Sequence, residues 1–195
     1  MQRISKKHIL FFVRWFVRYN GRLYYLQAKM PELPDRPDRQ LARSLDTKRK
    51  VAHSKIRDIT GGYGSLCRSC GRCCLERIER YTDFDQFIHA GMGEPLDHYD
   101  RKILNLPVML SNSVKRAFAH LRGSAQNSQK PCRYLGKSGC TLPHEKRPIL
   151  CVSWFCPKYI FGMQPSSLDS LEEPLTEILS IHDEIAEAVT YKKGA

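Results

Sequence analysis

Hydrophobic positions recur at helical spacing along most of this chain. Ile9-Leu10-Phe11-Phe12-Val13, Trp15-Phe16-Val17 and Leu23-Tyr24-Tyr25-Leu26 fill residues 4–28, with Lys7, Arg14 and Arg18 on one stripe. Asn20-Gly21 reads as a turn within that stretch. Pro31, Pro34 and Pro37 mark an extended connector, since proline removes a donor and restricts its predecessor. Leu41, Leu45, Ala52, Ile56 and Ile59 then predict a second helix among many basic residues. Thr60-Gly61-Gly62-Tyr63-Gly64-Ser65 lacks the Gly-Lys-Ser/Thr ending of a phosphate loop and reads as flexible backbone.

Further along, Thr82 or Asp83 caps a short helix through Phe84, Phe87 and Ile88, ended by Gly91. Pro95 to Asn105 and Ser113 to Gly123 predict two more helices, followed by a polar loop. Two glycines between Cys132 and Cys140 predict a tight hairpin. The clearest helix is C-terminal: Leu171, Leu175, Ile178, Leu179, Ile185, Ala186 and Val189 form one apolar stripe, with Ser170 and Glu173 as a capping box. The expected fold is therefore mainly α with a small β-hairpin.

The cysteines change the picture from scaffold to chemistry. Cys67, Cys70, Cys73 and Cys74 read C-R-S-C-G-R-C-C; Cys132, Cys140, Cys151 and Cys156 form a second cluster, and no cysteine lies elsewhere. Thiolates at two-residue spacing are what zinc and iron–sulfur sites need, because a C-x-x-C turn lets two sulfurs converge on one metal. Two other readings of the cysteines are weaker. An even cysteine count also suits disulfides, yet 195 residues bury a core without staples. No cleavable secretory signal is evident, since Arg14 and Arg18 interrupt the apolar run, so the expected compartment is cytoplasmic. Unmetallated core thiols are the third reading.

Side chains of adjacent residues tend to point in different directions, so Cys73-Cys74 suggests two metal centres or one cluster with spare thiols. Cys67, Cys70 and Cys73 with a remote Cys156-Pro157 match a ferredoxin-type ligand set, and two cysteine-rich zinc sites fit equally well. A radical-SAM reading fails on spacing, which would be C-x-x-x-C-x-x-C.

These residues resemble the C-x-x-C-x-x-C-C cysteine-cluster family, the YkgJ-like zinc- or iron-chelating domain. The resemblance runs from Cys67 to Cys74, through Cys132-Arg133-Tyr134-Leu135, Gly139-Cys140 and Arg147-Pro148-Ile149-Leu150-Cys151, to Phe155-Cys156. It covers roughly residues 64–160. The step from Cys140 to Arg147-Pro148 is one residue longer than in that pattern. What it implies is metal chelation by all eight cysteines, with neither metal nor reaction specified.

Charge divides the chain unevenly. Residues 1–60 hold 15 Lys/Arg against 5 Asp/Glu, and residues 61–195 hold 17 against 15. The expected organisation is a basic, aromatic-rich arm (1–60), a cysteine-cluster metal domain (61–162) and an acidic C-terminal amphipathic helix (163–195). The arm's basic residues have three readings: a face for nucleic acid, a face for an anionic membrane surface, or a solvated face docked internally on the acidic helix. No hydrolytic or acid–base constellation emerges, so whether the chain is an enzyme stays open. His144 is an extra-ligand candidate, His182 continues an apolar stripe, and Asp83 and Asp85 suit helix capping or oxygen ligation. The leading expectation is a metal-binding protein using zinc or iron, including an iron–sulfur cluster. The alternatives are a redox or catalytic iron–sulfur enzyme and a zinc-stabilised adaptor.

Overall fold

The computed structural model describes residues 4–29, 33–34, 37–68, 81–96, 132–137, 139–153, 155 and 157–191. Those residues are mainly helical: α1 (Lys6–Lys29), α2 (Arg39–Thr60), α3 (Gly64–Arg68), α4 (Asp83–Gly91), α5 (Ile149–Ser153), α6 (Pro157–Gly162) and α7 (Pro165–Tyr191). Two-residue strands β1 (Leu135–Gly136) and β2 (Gly139–Cys140) make the expected hairpin. The helices expected from Pro95 and from Ser113 lie almost wholly outside the described residues.

Three long helices form the frame. Both α1 and α2 pack on α7, and α4 packs on α2. The apolar stripe read along α7 is the centre of the core: Leu171, Leu175, Ile178, Ile181 and Ile185 are fully buried. They meet Leu45, Ala52 and Ile56 from α2 and Trp15 from α1 in one continuous cluster. Burying a Leu or Ile side chain contributes about 1.5–3 kcal/mol, so this seam dominates the stability of the fold. Ion pairs edge it: Arg14–Glu172 at 2.8 Å, Arg22–Asp183 at 2.6 Å, Lys48–Glu184 at 2.7 Å and Lys55–Glu177 at 2.6 Å, with Lys7–Asp169 beyond them. All are partly exposed and screened by solvent, so they set register more than stability.

The local reading differs from the structure in three places. No turn occurs at Asn20-Gly21: α1 runs through it, because Trp15 before and Arg22 after are both held on the rest of the fold. The glycine-rich segment after α2 is ordered as a 3-10 turn at Gly61–Tyr63 followed by α3. There the Tyr63 hydroxyl lies 3.0 Å from Ser167 Oγ and accepts from the Gln164 N–H, while Tyr159 donates to the Thr60 carbonyl. Finally, α7 begins at Pro165, ahead of Ser170. A proline suits a first helical position, and Ser170 bonds back to the Ser166 carbonyl inside the helix.

Two glycines mark close helix approaches. A Cβ at Gly91 of α4 would sit 2.4 Å from Ala42 Cβ on α2. One at Gly162 of α6 would sit 2.5 Å from Leu66 on α3. At Gly91 only hydrogen lets α4 and α2 pack at the observed distance, because the Ala42 Cβ cannot turn away; at Gly162 a larger residue would first have to displace the Leu66 side chain.

Candidate metal centre

The second cysteine cluster is built on short elements. Leu135 pairs with Cys140 and Gly136 with Gly139 across the hairpin. The Leu135 N–H donates back to the Cys132 carbonyl at 3.0 Å, and the Thr141 N–H reaches the Tyr134 carbonyl at 2.8 Å. Cys132 and Cys140 thus belong to one tight turn, and both are half-buried. The chain then makes a 3-10 turn at His144–Lys146 and enters α5, where Cys151 is exposed. These three thiols form no disulfide.

Helix α5 has only five residues, too few to hold itself in water. Both of its ends are held by the frame. At its start, the Asp85 carboxylate accepts from the Ile149 N–H at 2.9 Å. At its end, the Trp15 indole N–H donates to the Ser153 carbonyl at 3.0 Å. Asp85 also completes the capping box of α4: its other oxygen accepts from the N–H and hydroxyl of Thr82, each at 2.8 Å. One carboxylate therefore satisfies the starts of two helices. Burial pushes Asp85 above the usual carboxylate range, and its bonds to Ile149 and Thr82 offset part of that rise. Capping, the first of its two expected roles, is what it does.

The loop between Cys140 and Cys151 is anchored by α2. Arg49 is buried and donates through Nη1 to the Glu145 carbonyl at 3.0 Å, and Nη2 meets Asp46 at 2.6 Å. Burial raises Asp46, but hydrogen bonds from Lys50 and Arg49 outweigh it and hold this carboxyl below its ordinary range. Beside Arg49, the His53 ring is fully buried, edge-on to His144 at 5.9 Å. Burial, then Arg49 and His144, lower the His53 pKa to about 3. Burial and nearby Arg147 lower His144 to about 4. Both rings are thus neutral at pH 7. His182 packs rather than ligates: it stacks on Phe84 with centroids 4.0 Å apart.

Two further contacts join the halves of the cysteine region. Tyr81 is hydrogen-bonded to Tyr134 on the hairpin; burial first, then that bond, push its phenol up. Helix α3, which carries Cys67, packs on α6, which begins directly after Cys156. The described chain on either side of the first cluster therefore touches the described chain around the second.

Of the eight expected ligands, Cys132, Cys140 and Cys151 are fully described, and Cys67 is described in its backbone only. Cys70, Cys73, Cys74 and Cys156 lie outside the described residues. Among the described residues, no three His, Cys, Asp or Glu side chains are grouped to hold a metal ion. The anchors Arg49, Trp15 and Tyr81 were not foreseen from sequence. Their partners lie far along the chain, and no local spacing signals them. Compared with protein-family models, with curated proteins and with solved structures, the chain matches none.

Proposed function

We propose that this chain is a metal-binding protein that chelates zinc or iron through Cys67, Cys70, Cys73, Cys74, Cys132, Cys140, Cys151 and Cys156, in the manner of the C-x-x-C-x-x-C-C cluster proteins it resembles. The observation that carries the reading is the pairing of that cysteine spacing with a frame that spends buried polar groups on the cysteine-bearing segments. Asp85, Arg49 and Trp15 each reach out of the helical frame to fix the second-cluster chain. A hairpin with two half-buried thiols and a third on an adjacent short helix suits soft-ligand chemistry. The contacts of Tyr81 with Tyr134 and of α3 with α6 support one unit built from both clusters. A bound metal supplies folding energy here, and reactivity only where a coordination position stays open.

The test is the colour, absorbance and elemental content of protein purified without oxygen. Two zinc ions per chain point to a structural site; iron with inorganic sulfide points to redox or catalytic use. Cys70→Ser and Cys151→Ser are each expected to lower metal content and melting temperature together. Metal-free native protein whose eight cysteines are oxidised in pairs refutes the reading.

A further inference from the structure

Helix α1 is apolar on two opposite sides. One side, with His8 and Trp15, is buried on the frame. The other faces outward and carries Ile9, Leu10, Val13 and Val17, which are 51, 68, 50 and 60% exposed. At 100° per residue these four cover one arc roughly opposite His8. A surface helix ordinarily turns polar residues outward, so this stripe is an unfilled contact face. By contrast, Val51 is the single large apolar side chain so exposed among the described residues of α2.

Charge identifies what fits the stripe. Helix α1 contains no Asp or Glu; at 100° per residue Lys6 lies within the exposed arc, and Lys7, Arg14 and Arg18 run along one side of it. Lys7 and Arg14 pair with α7, while Lys6 and Arg18 make no ion pair among the described residues. At the far end of the stripe an open groove of 610 Å³ lies between α1 and α7, lined by Val17, Gly21, Tyr25 and Leu179, with Arg18 at its edge beside Arg22 and the Asp183 that pairs with it. A second copy on this face would bring like charges together. A nucleic-acid backbone would satisfy the cations and leave the apolar stripe in water. An anionic bilayer surface satisfies both, with aliphatic side chains in the acyl boundary and cations among headgroups. No described helix is long and apolar enough to cross a membrane, so such a helix lies along the surface.

We propose that the outward face of α1 docks the protein on an anionic lipid surface. Leu10, Val13 and Val17 enter the headgroup boundary, and Lys6 and Arg18 meet the phosphates. This inference does not rest on the metal reading.

The test is flotation of the full chain with vesicles of phosphatidylcholine alone, or with about one-third phosphatidylserine. The chain is expected to float with the anionic vesicles only. Replacing Leu10, Val13 and Val17 by Gln is expected to cut partitioning roughly tenfold or more, with melting temperature unchanged because these side chains are exposed. Arg18→Glu is expected to weaken binding several-fold and reduce its salt sensitivity. Absence of wild-type flotation overturns the proposal, as does flotation unaffected by the Gln replacements. So does wild-type self-association that those replacements abolish in the absence of vesicles, which would assign the face to a second copy. RNA or DNA binding that competes with vesicles and survives the Gln replacements would assign the cations to nucleic acid.

Discussion

The helical frame and the second-cluster cysteine segment are stabilised by different balances of apolar burial and polar bonding. The frame, α1 with α2, α4 and α7, is a continuous apolar seam in which side chains of 0% exposure follow one another along α7. The second-cluster segment, from Cys132 to Ser153, has a hairpin of two-residue strands, one 3-10 turn and a five-residue helix. What holds it are Ile149 and Val152, buried in the same apolar cluster, and a few polar bonds donated or accepted by frame side chains. The difference teaches that the frame is held along its length by burial, whereas the cysteine segment enters that core only through α5 and is otherwise positioned by polar bonds.

The most direct way to break this comparison is in the seam. Leu175→Ala removes a fully buried side chain from α7 and is expected to cost about 2–5 kcal/mol, with frame and cysteine segment lost in one transition. Denaturant unfolding followed by circular dichroism checks this; a loss below about 1 kcal/mol would show that the seam is loosely packed.

A smaller and more local effect is expected at Asp85. Asp85→Asn keeps one acceptor oxygen where the carboxylate uses two, leaving a buried N–H short of a partner at about 1–3 kcal/mol. Amides of Ile149–Ser153 are expected to exchange with solvent faster while those of α7 keep their protection. Equal loosening of both regions would mean that the two are a single cooperative unit.

Acid sharpens the comparison from the frame's side. The folded His182 pKa is lowered to about 3 by burial alone, below an unfolded value near 6.5. A group depressed in this way contributes stability that is fully present above pH 6.5 and is lost as the pH falls towards 3, because only the unfolded chain takes up the proton there. At pH 5 the expected loss is about 2 kcal/mol from this residue. His182→Leu is expected to remove that part of the pH dependence between pH 5 and 6.5; a melting curve as steep in acid as the wild type's would place the sensitivity elsewhere, with His53 the next residue to replace.

The frame was largely legible in the sequence because its signals are periodic and local. Leu41, Leu45, Ala52, Ile56 and Ile59 announce α2, the Leu171–Val189 stripe announces α7, and Thr82 with Gly91 brackets α4. What misled were residues with strong local preferences overridden at distance. Asn20-Gly21 favours a turn, yet the contacts of Trp15 and Arg22 carry α1 straight through it. The hairpin was legible from its glycines. The supports of the cysteine segment were not: Asp85 reaches Ile149 across 64 positions and Arg49 reaches Glu145 across 96, and neither leaves a periodic trace. As for the candidate site, spacing nominates eight ligands, and the described residues fix how three of them are carried.

The place of α7 in the chain has a consequence for synthesis. Its partners on α1 and α2 lie as many as 162 positions earlier, and all eight cysteines precede it. At about 5–20 residues per second on a ribosome, the apolar sides of α1 and α2 wait roughly 6–30 s for their cover. Throughout that interval every thiol beyond the exit tunnel is available before the frame has closed. Under the chelation proposed above, metal delivered early would meet an open chain, and metal delivered late would meet segments already fixed by Asp85, Arg49 and Trp15. The order of emergence would then make the timing of metal supply, as well as affinity, bear on which thiols are joined first.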